Sequence, residues 1–194
     1  MEGSVSTAPG QVGQATTFDG GRVEVGTGET FGLSQFTVAA WAKVSDTDTG
    51  LRTVVARQNP NASDPFQKRT FVLWFDDADE FFGAEVIATR TAESNGDLRD
   101  VTADGSYTDG EWHHLVATAA SGGELALYVD GAQKGTRSID GPLYTGPGQT
   151  WIGLSPGQDR PLNGAVDDLR IYDRALSASD VTALYDQTGG GGGS

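Results

Sequence analysis

The sequence predicts an all-β chain: an antiparallel two-sheet β-sandwich of jelly-roll type with one short C-terminal helix. Three observations carry that expectation. About a dozen short stretches rich in β-branched and aromatic residues recur at regular spacing, the pattern of sandwiches and jelly rolls. Glycine accounts for 28 of the 194 residues, about twice the ordinary share of ~7%, with no proline richness or triplet repeat, so it marks turns. Of the acids, 19 are Asp and 8 are Glu, and Asp favours turns where Glu favours helices.

In chain order, Arg22 to Val25 alternates as a strand does, and Phe36 to Val44 is apolar on both faces, as a strand buried between layers requires. Thr53 to Arg57, Thr70 to Phe75, Phe81 to Ala88 and Leu98 to Val101 follow. Trp112 to Thr118 and Glu124 to Val129 are separated by Ala-Ser-Gly-Gly, a hairpin signal. Asp130-Gly131 is the strongest turn signal in the chain and should lead into a strand around Lys134 to Ile139. Thr150 to Leu154 and Ala165 to Tyr172 complete the set. Leu176 to Tyr185 reads as the helix, with Ser177 as N-cap and Asp180 in the first turn.

The expected domain spans residues 15–188. Residues 1–14 read as a flexible N-terminal arm, and residues 189–194, GGGGGS, as a Gly-rich linker or cloning scar with no side chains to pack. The net charge of −14 disfavours nucleic acid and anionic membrane surfaces. No apolar run approaches the roughly 18 residues of a membrane span, so no membrane insertion is expected. With no cysteine, disulfides, Cys-zinc sites and thiol nucleophiles are excluded.

Six segments, taken in order, carry a resemblance. They are Phe18-Asp19-Gly20, FTVAAW ending at Trp41, Glu111 to Ala117 (EWHHLVA), Leu127 to Gly131 (LYVDG), Trp151-Ile152-Gly153, and Leu162 to Ser177 (LNGAVDDLRIYDRALS). Together they resemble the LamG-like jellyroll domains of the concanavalin A-like lectin/glucanase superfamily across about residues 15–187. The resemblance implies a concanavalin A-like sandwich, and it implies a structural calcium held by Asp19 and Asp167 with the Gly20 carbonyl as a further donor. Calcium takes 6–8 oxygens and accepts backbone donors, so Asp-Gly turns suit it. Such an ion would staple the two ends of a chain without disulfides. The alternative is that Asp19 caps a turn while Asp167 pairs with Arg170 or Arg174. Many relatives carry Ile-Asp-Glu where this chain has Val166-Asp167-Asp168, so Asp168 is not carried over as a ligand.

The ligand-binding candidates are Trp74, Asp76, Asp77, Asp79 and Phe82. Sugar rings stack on aromatic side chains, and Asp holds hydroxyls. Strand neighbours face opposite sides, so one of Trp74/Phe75 and one of Phe81/Phe82 should point outward beside the 76–80 acidic run; the alternative for that run is a solvated hairpin loop. Trp41, Trp112 and Trp151 lie in motif strands and are expected to be packed. His113 and His114 face opposite sides and make a poor metal pair; one is expected packed and hydrogen-bonded, the other at the surface.

Retaining glucanases of this superfamily carry a Glu-x-Asp-x-Glu strand that sets two carboxyls roughly 5 Å apart. This chain has no such run; Glu80 and Glu85 are five residues apart. No catalytic residue is therefore expected. The leading expectation is a non-catalytic extracellular carbohydrate-binding or adhesion module stabilised by calcium. It would be secreted or at the cell surface, bacterial, and a monomeric part of a larger chain, with a glycan or a surface protein as partner. The competing readings are a structural spacer or protein-interaction module and, as a minority view, a glycoside hydrolase-type enzyme.

Overall fold

The computed structural model describes residues 3–44, 50–61, 69–76, 81–88, 97–157 and 159–190. Thirteen strands run in chain order: β1 (Ser4–Pro9), β2 (Gln14–Asp19), β3 (Val23–Gly26), β4 (Gln35–Val44), β5 (Leu51–Gln58), β6 (Arg69–Asp76), β7 (Phe81–Ala88), β8 (Asp97–Thr102), β9 (His113–Ala120), β10 (Glu124–Val129), β11 (Ala132–Ser138), β12 (Gln149–Ile152) and β13 (Asn163–Tyr172). They form a seven-stranded sheet, β1-β2-β13-β4-β9-β10-β11, and a six-stranded sheet, β3-β12-β5-β6-β7-β8. Neighbouring strands pair antiparallel throughout. This is the expected sandwich with one helix, α1 (Ala178–Tyr185), which continues into a single π turn, Asp186–Gly190.

The core lies between the sheets. Phe36, Val38 and Ala40 of β4, Leu115 of β9 and Leu125 and Leu127 of β10 meet Phe71, Leu73 and Phe75 of β6 and Phe82 and Val86 of β7. The double-sided apolarity of β4 has a second cause. Its Ala39 faces away from the core, where it joins Val116, Ala126 and Tyr128 in a smaller cluster sealed by Leu176, Val181 and Leu184. The helix starts as its sequence requires: Ser177 accepts from the Asp180 backbone N–H, and the Asp180 side chain returns the bond to the Ser177 N–H. At the β10–β11 turn, Asp130 and Gly131 both adopt positive φ, 53° and 74°, the backbone of a type I′ hairpin.

One domain boundary is corrected. Residues 4–9 are not a loose arm; they pair along the whole of β2, from Ser4↔Asp19 to Pro9↔Gln14. Their side chains are almost all exposed, so no apolar alternation announces the strand, and its stability comes from backbone bonds at the sheet edge.

Candidate functional site

The two aspartates expected to share a calcium do not meet. Asp19 lies opposite Asn163 on β13, and Asp167 is four residues further along, roughly 13 Å of extended chain. One calcium shell would need both within about 2.6 Å of the ion. Asp167 is buried, and its oxygens are already committed: Oδ2 accepts the Val12 N–H at 2.7 Å and Oδ1 the Asp168 N–H at 2.8 Å. Asp19 is exposed. The Gly20 N–H donates to the Leu162 carbonyl at 3.2 Å. The alternative pairing is corrected as well, because Arg170 bonds Asp168 through Nε at 3.1 Å and NH2 at 2.9 Å across a bulge in β13, and Arg174 reaches Asp180. Among the described residues no three Asp, Glu or His side chains gather as a metal group. The residues present thus do not fit a calcium bridging the chain ends. Asp167 instead pins the β1–β2 turn by hydrogen bonds.

The aromatic candidates separate by strand parity. Trp74 points away from the core and is half-buried, whereas Phe75 is fully buried. In the next strand the expectation is half corrected. Phe81 faces outward, while Phe82 is a core residue whose ring packs against Phe75 and Tyr107. Asp76 sits on the outer face, opposite Leu51 and Phe81; Asp77 and Asp79 lie outside the described residues.

The outer face of the six-stranded sheet can be written as rows across the strands. Glu24, Trp151, Ala56, Val72, Glu85 and Asp100 stand side by side. Thr53, Trp74, Gly83 and Thr102 form the adjoining row. Gly83 is required there: a Cβ would come within 2.3 Å of the Trp74 indole, so the ring lies flat on the strand beside it. Phe81 meets it edge-on at 5.5 Å. Beside the indole is a small cavity of about 50 Å³ lined by Leu51, Thr53, Arg69, Val72, Glu85 and Arg160. Arg69 forms an ion pair with Glu85, and both are nearly buried. The indole Nε1–H of Trp74 is itself buried and meets no acceptor among the described residues, an arrangement that proteins rarely leave without a ligand or water to complete it. On the same face Trp151 is half-buried rather than packed, donates to Glu24 at 3.2 Å and carries the Arg22 guanidinium 4.3 Å above its ring.

Trp112, also only half-buried, lines a larger groove on the opposite sheet with Pro9, Thr17, Lys43 and Ala165. The histidines invert the expectation. His114 is the packed one, between Trp41 and Tyr185, and its Nδ1 has no partner among the described residues; burial pushes its pKa down to about 4. His113 is partly exposed yet doubly bonded, with Nδ1 2.8 Å from Asp130 and Nε2 3.2 Å from Asp109. Burial would depress His113, but its bonds to the two carboxylates outweigh it and raise the pKa.

Gly153-Leu154-Ser155-Pro156-Gly157 matches the spacing of a serine-hydrolase nucleophile elbow, a match that sequence reading overlooked. It follows β12 and leads into no helix; Ser155 is buried and donates to Gln58 at 3.1 Å. Among the described residues neither histidine is bonded to it: His113 is held by Asp109 and Asp130, and His114 packs between Trp41 and Tyr185.

Known proteins share this architecture. Domain 4 of AbnA, an extracellular arabinanase of Geobacillus stearothermophilus solved with arabinotriose, matches with a TM-score of 0.64 and 20% identity over 94% of this chain and 81% of that one. The Ruminococcus gnavus sialidase CBM40 bound to α2,3-sialyllactose matches with a TM-score of 0.66 and 15% identity over 84% and 96%. The binding domain of Paraclostridial Mosquitocidal Protein 1 matches at 0.64 and 18% over 94% of this chain, which spans only 45% of that structure. These likenesses show the fold. No curated protein sequence matches the chain significantly. A family model does match, over residues 17–182, and with the two sheets and motif strands in place the chain belongs to the concanavalin A-like lectin/glucanases superfamily.

Proposed function

We propose that the chain is a non-catalytic carbohydrate-binding module, working outside the cell as a secreted or surface protein, that holds its glycan on the outer face of the six-stranded sheet at Trp74. The observation that carries this reading is the half-buried indole lying on Gly83, with an N–H that meets no acceptor among the described residues and beside it a small cavity lined in part by Arg69, Glu85 and Arg160. A glycan offers what that site lacks, a C–H face for the ring and hydroxyls for the buried polar groups. Two similar folds were solved with oligosaccharides, arabinotriose and sialyllactose, which supports the reading. The pairing of Glu85 with Arg69 leaves that carboxylate suited to binding rather than to acid catalysis.

A glycan array followed by isothermal titration tests it. The expected outcome is a glycan ligand whose affinity falls at least about tenfold, about 1.4 kcal/mol, in Trp74→Ala and is unchanged in Trp112→Ala. No glycan binding, or loss only in the Trp112 variant, would overturn the proposal.

A further inference from the structure

Resting on that reading, we infer that the Trp74 site selects neutral sugars, received hydroxyl-first into the Trp74–Glu85 cavity, and rejects uronic, sialic and sulfated ones. The cavity of about 50 Å³ has room only for a few hydroxyl-sized groups, roughly three to five, since a water needs ~10–15 Å³. A whole ring does not enter; its edge does, while the remainder lies against Trp74 and Phe81. The cavity is lined by Trp74, whose buried Nε1–H has no acceptor among the described residues, and by the carboxylate of Glu85. A hydroxyl satisfies both at once, accepting from the indole and donating to the carboxylate.

A carboxylate or sulfate does neither job well. It accepts from Trp74 but has no proton for Glu85, and it adds a like charge beside a nearly buried one. The cations do not rescue it. Arg69 is committed to Glu85, and Arg160, the cavity's second guanidinium, shares this face with the carboxylates of Asp76 and Asp100. On a molecule of net charge −14 the field opposes an anionic ligand.

The test uses isothermal titration of the whole chain with methyl glycosides of glucose, galactose and arabinose, and with those of glucuronic acid and N-acetylneuraminic acid. Longer neutral oligosaccharides serve where single sugars are weak. The expected result is binding of a neutral member, with affinity unchanged between 0.05 and 0.5 M NaCl within about twofold, because no ion pair with the ligand exists to be screened. Trp74→Phe, which keeps a ring but removes the N–H, weakens it at least about fivefold. Glu85→Gln weakens the neutral sugar and narrows the gap to glucuronic acid. Binding confined to acidic sugars, or affinity that collapses with salt, overturns this inference and leaves the carbohydrate reading standing. Absence of binding to every sugar overturns both. Neutral binding that Trp74→Phe leaves untouched places the hydroxyl elsewhere and also overturns it.

Discussion

Arg57 shows what a single side chain contributes here. It is fully buried and meets only neutral acceptors: Nε donates to Thr30 O, NH1 to Thr70 Oγ1, and NH2 to Gly28 O and Gly146 O. It therefore ties the 28–32 and 144–148 segments to β5 and β6. Burial lowers its pKa, yet an arginine stays charged. Arg57→Ala should cost more than about 3 kcal/mol by urea unfolding, since several buried acceptors lose a charged donor; a loss under about 1 kcal/mol would show that the loops hold themselves. His114 makes the opposite electrostatic contribution. Its pKa is held at about 4 against 6.5 unfolded, so the unfolded chain binds more protons between those values, and stability falls as pH drops through that window by up to about 3 kcal/mol. His114→Phe should remove that part of the acid loss; equal losses in the two proteins would contradict it. For His113, whose pKa is raised, the sign reverses: its contribution is present below pH 6.5 and is lost as pH rises through the raised value, so His113→Asn should cost more at pH 6 than at pH 8. Neither role was legible from the His-His pair alone, because Asp109 and Asp130 reach His113 from two separate turns.

Among the elements, α1 and β1 mark the two limits of sequence reading. The helix was legible to its cap, because the capping box and the apolar spacing are local. Ser177→Ala should cost about 1 kcal/mol, read from thermal or urea unfolding, and no change would mean that Val181 and Leu184 alone anchor the helix. What the helix and its π turn cover was not legible. Thr188 accepts the Trp41 indole N–H at 3.0 Å across 147 positions of sequence, and Tyr185 stacks on that ring. β1 escaped for the converse reason, since an edge strand with polar, exposed side chains carries no periodicity. Likewise the alternation of β6 and β7 shows that one aromatic of each pair faces out, but the choice of Phe81 over Phe82 depends on pairing register, and register is tertiary.

At the scale of the whole molecule, the family motifs made the sandwich and its turns readable, whereas the calcium staple inferred from Asp19 and Asp167 failed on register, since the motif order does not state how far apart two residues lie along β13. With Asp167 bonded to Val12 and Asp168, the chain ends are joined without a shared ion, and adding chelator should leave the melting temperature unchanged. A fall of several degrees would show that an ion does support the fold. Asp167→Asn should lower it even in chelator, by releasing the β1–β2 turn. The acidic surface then bears on the proposed choice of neutral ligands. The central claim, that glycan is held at Trp74, is tested most directly by the four assigned tryptophan indole N–H resonances during titration with a neutral glycan ligand. The Trp74 signal should shift strongly as its N–H gains an acceptor, while that of Trp41, bonded to Thr188, stays in place. A glycan that binds without moving the Trp74 indole would contradict the account.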